Sequence, residues 1–311
     1  MSVAKNHCEK TLIRISAKKG KDMRLYTIES NGNECVSVLN SGKMVTLESL
    51  GIRVKNMNEL ICRYDELDDE IIGSFEADSS NKVALEESDY KVLAPVPVPL
   101  QDIICLGVNY REHIEETADV LDFTKKTDAV YFSKRVNRCN DPDGIIPCYD
   151  NVDALDYEVE LGVILKKNAF RVSVDEVADY ILGYTIINDV SARNLQFKHQ
   201  QWYLGKSLDG YTPMGPCIVT SDEIGDAHSL DITCYVNGEK RQESNTKYMI
   251  TSVEEAILEL SQAMTLKAGT VIATGTPGGV AMGMKPPVYL RKGDVIKCEI
   301  RGIGELTNTV G

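Results

Sequence analysis

The sequence predicts an α+β protein in two parts, a small N-terminal domain over residues 1–95 and a larger domain over residues 100–311. Short apolar runs of strand length are separated by Asn-Gly and Ser-Gly turns. Capping-box signatures mark a few helices among them. Between the two parts, "KVLAPVPVPLQD" alternates Pro95, Pro97 and Pro99 with apolar residues. Each proline removes a ladder donor, so this segment cannot be a central strand and reads as an extended linker.

In chain order, Met23 to Leu47 contains three short strands joined by "SNGN" and "NSGK", steps suited to tight hairpins. A helix follows around "MNELICRY". The larger part opens with a strand up to Val108, after which Asn109 and Glu112 have capping-box spacing for a short helix. "TADVLDFTKKTDAVYF" mixes charge with few periodic apolar positions and reads as a mobile flap. Ser173 with Glu176 repeats the capping-box spacing, and a strand ends near Asn188. The best helix begins at Ser252 with Glu255, and Gly269 is placed after its end. The tail returns to strands around a turn at Gly293, and no internal repeat is present.

Hydrophobic residues make up 43% and charged residues 26%, and the net charge is −13. That charge argues against a nonspecific nucleic-acid binder and against an anionic membrane surface. No apolar run approaches bilayer length and the N-terminus lacks a signal-peptide core, so the expectation is a cytoplasmic protein. Nine cysteines are dispersed without a C-x-x-C pair, which predicts reduced thiols rather than a thiolate metal cluster.

The chemistry concentrates in a few short stretches. "DYEVELGVI" places Glu158 and Glu160 on one side of a strand whose other side is Val159, Leu161 and Val163. Two like charges on one face call for a divalent metal or for a solvated face. Asp189 follows an apolar strand, as a third oxygen ligand or as a helix cap. Three carboxylates would suit magnesium or manganese. His113 and Glu116 lie three apart on one helical face, a spacing shared by proton-transfer pairs and by solvated helices. Lys206, in "QWYLGKSLDG", is an oxyanion stabiliser, a carboxylate binder or a surface lysine. "ATGTPGGVAMG" lacks the P-loop lysine and the dinucleotide spacing, and reads as an oxygen-binding loop or a plain turn.

"GVNYREHIEE", "DYEVELGVIL", "GYTIINDVSARNLQ", "YLGKSLDGYTPMGP" and "ATGTPGGV" follow one another in an order and spacing that resembles the fumarylacetoacetate hydrolase family, over roughly Ile103 to Thr309. The resemblance implies a mixed β-rich catalytic fold of the β-roll type and a homodimer. It implies Mg2+ or Mn2+ (Ca2+ as a crystallisation substitute) held by Glu158, Glu160 and Asp189. The substrate it implies is a small 2-oxo acid bound through its carboxylate and keto oxygens. His113 and Glu116 match the family's water-activating pair on a closing lid, expected over about Glu112–Lys126, and Lys206 matches the lysine beside the metal. Tyr110, Arg193, Gln196 and Thr276, together with Lys206, match substrate-binding positions. The chain departs from the family at "YFSKRVNRCNDPDG", where many relatives have a lysine followed by proline.

The activity expected from this resemblance is hydrolysis of the C3–C4 bond of a 2,4-dioxo acid, of acylpyruvate or fumarylpyruvate type, through a pyruvate enolate. Oxaloacetate decarboxylation passes through the same enolate without the water. Isomerisation or hydration of unsaturated 2-oxo diacids, and non-catalytic 2-oxo acid binding, are the alternatives.

Overall fold

The computed structural model describes residues 23–40, 42–76, 84–119, 128–199 and 201–311. The N-terminal part contains β1 (Arg24–Ser30), β2 (Asn33–Asn40), β3 (Lys43–Thr46), α1 (Met57–Cys62), α2 (Tyr64–Glu76) and β4 (Lys91–Val92). There follow β5 (Ile103–Gly107), α3 (Arg111–Glu116), β6 (Val130–Lys134), β7 (Ile145–Ile146), β8 (Leu155–Asp156), β9 (Val159–Leu165), β10 (Ile181–Asn188) and β11 (Ser191–Ala192). The remainder is α4 (Arg193–Lys198), α5 (Tyr203–Lys206), β12 (Met214–Thr220), α6 (Ser221–Ile224), β13 (Asp231–Val236), β14 (Glu239–Asn245), α7 (Val253–Ser261), β15 (Val271–Ala273), β16 (Val295–Ile300) and β17 (Gly304–Val310).

Ten strands form one mixed sheet, in the order β3-β2-β1-β12-β10-β9-β15-β5-β6 with β4 added to β1. A second sheet runs β14-β13-β16-β17-β7. The α+β architecture expected from the sequence is therefore the one observed. The N-terminal strands continue the large sheet, because β1 pairs antiparallel with β12. The proline-rich stretch packs against the sheet, where Pro95 O accepts from Thr27 Oγ1 and Pro97 O accepts from the Cys139 N–H.

β9 and β10 are the centre of the structure. Every residue of both is buried, and their Val, Ile and Leu content suits strands covered on both faces. Burying each such side chain contributes roughly 1.5–3 kcal/mol, which fixes the register of the pair firmly. That register sets Glu160 opposite Ile187 and Val159 opposite Asn188. Acids at these positions are thereby carried into the interior.

Several local expectations are corrected. α3 begins at Arg111 with Tyr110 as an N-cap that makes no side-chain bond. Asn109 instead ties two segments together, donating to Thr251 O and Thr274 O and accepting from the Thr251 N–H. Ser173 does bond Glu176, but the segment becomes a 3-10 turn over Val177–Tyr180, since β10 begins at once after it. The Ser252–Glu255 capping box is present, yet α7 ends at Ser261. Gly269, at φ +83°, serves a later turn whose N–H reaches Leu165 O. The last three residues of the expected flap, Val130–Phe132, belong to β6, paired along β5. Residues 120–127 of that flap, and so 120–126 of the expected lid, lie outside the described residues. All eight described cysteines are free thiols. Among the described residues no helix is long and apolar enough to cross a membrane.

Candidate active site

Glu160 sits in β9, Glu158 in the connection from β8, and Asp189 immediately after β10. Their positions are locked by backbone bonds: the Asp189 N–H donates to Glu158 O, and the Glu158 N–H donates to Asn188 Oδ1. One carboxylate oxygen of each acid lies within 4.8 Å of the others, and all three side chains are buried. The strand-face reading of "DYEVELGVI" is thus resolved in favour of a buried acid cluster. Asp189 caps no helix, because α4 begins at Arg193 with Ala192 as its N-cap.

Three buried cations surround the acids. Lys206 Nζ lies 2.6 Å from Glu158 Oε2 and 2.7 Å from Asp189 Oδ2. Arg193 donates to Glu158 Oε1 at 2.6 Å, to Asp156 Oδ2 at 2.9 Å and to Gln196 Oε1 at 2.9 Å. Lys134 Nζ lies 2.6 Å from Asp189 Oδ1 and also donates to Val190 O. Lys206 reaches this depth because α5 packs on α4 at Gly205, where a Cβ would lie 2.4 Å from the Gln196 nitrogen.

Burial alone would raise the Glu158 carboxyl, but Lys206 and then Arg193 outweigh it and hold it well below the usual range. Glu160 is different. Burial, followed by the charges of Asp189 and Glu158, pushes it well above the usual range. Its Oε2 accepts from the Gly275 N–H at 2.8 Å, and among the described residues no ammonium or guanidinium lies within salt-bridge distance of it. A clustered set of hard oxygen donors with one uncompensated member fits a divalent cation of the magnesium or manganese type.

Facing the acids, His113 Nδ1 is 2.8 Å from Glu116 Oε1, and Glu116 Oε2 accepts from the Gly279 N–H at 2.7 Å. The dyad rests on a glycine cradle: a Cβ on Gly283 would lie 2.7 Å from Glu116 Cδ and Oε2. The "GTPGG" loop therefore serves both halves of the site, Gly275 holding Glu160 and Gly279 holding Glu116. Thr276 lines the cavity between them, donating to Val159 O and accepting from Gln242 Nε2.

The cavity between them measures about 20 Å³, and its lining includes His113, Glu158, Glu160, Arg193, Gln196 and Lys206. Tyr110 is fully buried behind α3, does not line it, and its hydroxyl has no hydrogen-bond partner among the described residues. Val108, which also lines the cavity, adopts φ +48°, a conformation β-branched residues rarely take and one typical of functional sites.

The sequence reading missed Lys134, Asp156, Gln242 and Asn188. Asp156 is fully buried and accepts from the Ala281 and Met282 N–H groups as well as from Arg193. It stands at the start of "DYEVE", but local spacing does not tie it to Glu158 and Glu160. Lys134 lies in "YFSKR", where the sequence shows only a departure from the family pattern. Gln242 lies in a polar strand with nothing local to distinguish it.

This geometry defines an α+β enzyme with a buried candidate cation centre and an adjacent His–Glu pair. The family profile described as "Fumarylacetoacetate (FAA) hydrolase C-terminal" matches residues 102–311. The chain is 42% identical over 225 residues to an oxaloacetate tautomerase, YisK, from Bacillus subtilis, covering 72% of this chain and 74% of that protein. It is similar in structure to a fumarylacetoacetate hydrolase from psychrophilic Exiguobacterium antarcticum, with TM-score 0.80, 38% identity, and 93% and 99% of the two chains covered. A maleylpyruvate hydrolase from Sphingobium sp. SYK-6, solved with manganese(II) and pyruvate, superposes with TM-score 0.73 at 25% identity over 93% and 98% of the chains. The chain belongs to the fumarylacetoacetate hydrolase family. At family level it is an enzyme acting on small 2-oxo or dioxo acids.

Proposed function

We propose that this chain interconverts the keto and enol forms of a small 2-oxo diacid of the oxaloacetate type. The observation carrying this reading is the placement of Lys206 and Arg193 in the lining of a small cavity that His113 also lines. Arg193 is a guanidinium suited to a substrate carboxylate. Lys206 stabilises the negative charge that develops on the C2 oxygen when a C3 proton leaves. His113, oriented by Glu116, takes that proton through the ring nitrogen not engaged by Glu116 and returns it to the C2 oxygen to complete the enol. No bond between carbons breaks. A Mg2+ or Mn2+ ion held by Glu158, Glu160 and Asp189 would supply Lewis-acid stabilisation of that same oxygen. The similarity to an oxaloacetate tautomerase supports the choice.

Hydrolysis of a 2,4-dioxo acid is the second reading, favoured by the same His113–Glu116 pair, which can equally deprotonate water, and by the structural similarity to two hydrolases. Decarboxylation of oxaloacetate shares the enolate and is the third. A homodimer is part of the proposal, supported by the family resemblance and by exposed apolar side chains such as Leu100 and Leu204, and so is the cytoplasmic location expected from the sequence.

The test follows enol oxaloacetate by ultraviolet absorbance, with Mn2+ and after chelation, while pyruvate is assayed in parallel. Metal-dependent loss of enol without pyruvate supports tautomerisation. Pyruvate release from an acylpyruvate favours hydrolysis, pyruvate from oxaloacetate favours decarboxylation, and no effect on any of them refutes the enzyme reading.

A further inference from the structure

Beside the charged groups, the cavity is also lined by aromatic side chains on two separate elements. Phe132 comes from β6, and Trp202, the only tryptophan in the chain, is the N-cap residue of α5. Their rings meet edge to face with centroids 5.3 Å apart. Both line the cavity, together with Leu106 and Gly107 from the end of β5. The indole lies directly on Gly107: a Cβ there would be 2.5 Å from Trp202 Cζ3, so the ring occupies space that any other residue would claim. Phe132 in turn stands 5.2 Å from Lys206 Nζ, which places the aromatic pair beside the charged groups rather than at a distant surface.

We propose that Trp202, backed by Phe132, is the size filter of the site, restricting the part of a 2-oxo acid beyond C3 to a short group. This rests on the proposed 2-oxo acid reading. The polar groups and the aromatic pair line one cavity of about 20 Å³, room for one water-sized body before any side chain shifts. A bound substrate with its carboxylate and keto oxygens toward Arg193 and Lys206 must direct its remaining carbons at the indole. Side-chain adjustment of a half-exposed ring admits a short chain, whereas a longer one meets two interlocked rings held by Gly107. Trp202 is thus a specificity-determining residue, and removing its ring should relax discrimination against longer chains.

The experiment compares the wild type, Trp202→Ala and Trp202→Phe, each loaded with Mn2+, on oxaloacetate and on acylpyruvates of increasing acyl length. Competitive binding of oxalate and of 2-oxo acids of the same lengths is measured in parallel by calorimetry. The wild type should lose about 10-fold or more in affinity or kcat/KM per added methylene, and Trp202→Ala should lower that ratio by at least about 10-fold. Trp202→Phe should fall between them. If Trp202→Ala does not fold, an intermediate ratio in Trp202→Phe supports the filter and an unchanged ratio overturns it. Oxalate binding with the same length discrimination in all three proteins also overturns it. Failure of oxalate or any 2-oxo acid to bind the wild type refutes the underlying reading instead, and binding without turnover leaves the filter standing while removing the catalytic role.

Discussion

Lys134 and Asp189 form an ion pair at 2.6 Å in which neither side chain is more than 1% exposed. Two buried charges of this kind stabilise the structure only as a pair. Replacing the lysine leaves Asp189 with Lys206 as its remaining ammonium partner, and that lysine is shared with Glu158. Lys134→Met should therefore cost about 3 kcal/mol in urea denaturation. Saturating Mn2+ should restore part of the loss, because a cation at Asp189 replaces the missing positive charge.

The glycine cradle makes a separate prediction. In Gly283→Ala the new methyl would meet the end of the Glu116 side chain at 2.7 Å, and that flexible end moves more cheaply than backbone. Glu116 then leaves the Gly279 N–H and no longer aligns His113. Turnover should fall by about 10–100-fold while the unfolding midpoint barely changes, since a misplaced catalytic group costs rate rather than fold.

His113→Ala should lower proton transfer by about 100- to 10,000-fold. Stopped-flow rates on oxaloacetate and on an acylpyruvate read this directly. A larger loss on the acylpyruvate than in oxaloacetate decarboxylation would identify His113 as the base for water.

Away from the site, His228 Nε2 lies 2.7 Å from Glu254 Oε2. The hydrogen bond to Glu254 raises the imidazole above its usual value against the opposing effect of burial, and the charges of Glu254, Asp226 and Glu255 add to the rise. Burial would raise Glu254, but the bond to His228 and a backbone bond lower it. The histidine's contribution is complete below its unfolded value of about 6.5 and is lost as pH climbs through the raised folded value. The glutamate's is present above about 4.3 and is lost as pH falls. His228→Gln should thus destabilise most between about pH 4.5 and 6.5, by about 0.5 kcal/mol for a pair this exposed, and least above about pH 8. Thermal melts across that range check it.

Much of this site was legible because its chemistry contradicts its surroundings. Glu158 and Glu160 interrupt an apolar strand, and period-two alternation puts them together without any tertiary information. Asp189 could be paired with them only through the family resemblance, since the β9–β10 register is not written in local spacing. Lys134 and Gln242 escape for the same reason: each is joined to the site only by long-range contacts, such as Lys134 to Asp189 across 55 residues and Gln242 to Thr276 across 34. The helix ends were misjudged where a tertiary bond overrode a local one. Asn109 has the spacing of a cap, yet its amide bridges Thr251 and Thr274 instead. The continuation of the sheet into the N-terminal strands depends on β1 pairing with β12, a contact between segments about 190 residues apart that no sequence period reports.

Glu160→Gln is the most direct probe of the central claim that Glu158, Glu160 and Asp189 hold a divalent cation. The amide preserves shape and removes one of three like charges from a buried cluster, so the variant should be at least as stable as the wild type. Titration calorimetry of Mn2+ into both metal-free proteins is the measurement. The wild type should bind one Mn2+ per chain, and folded Glu160→Gln should bind it at least about 10-fold more weakly. Equal Mn2+ affinity in the two folded proteins, or no binding by the wild type, would contradict the account.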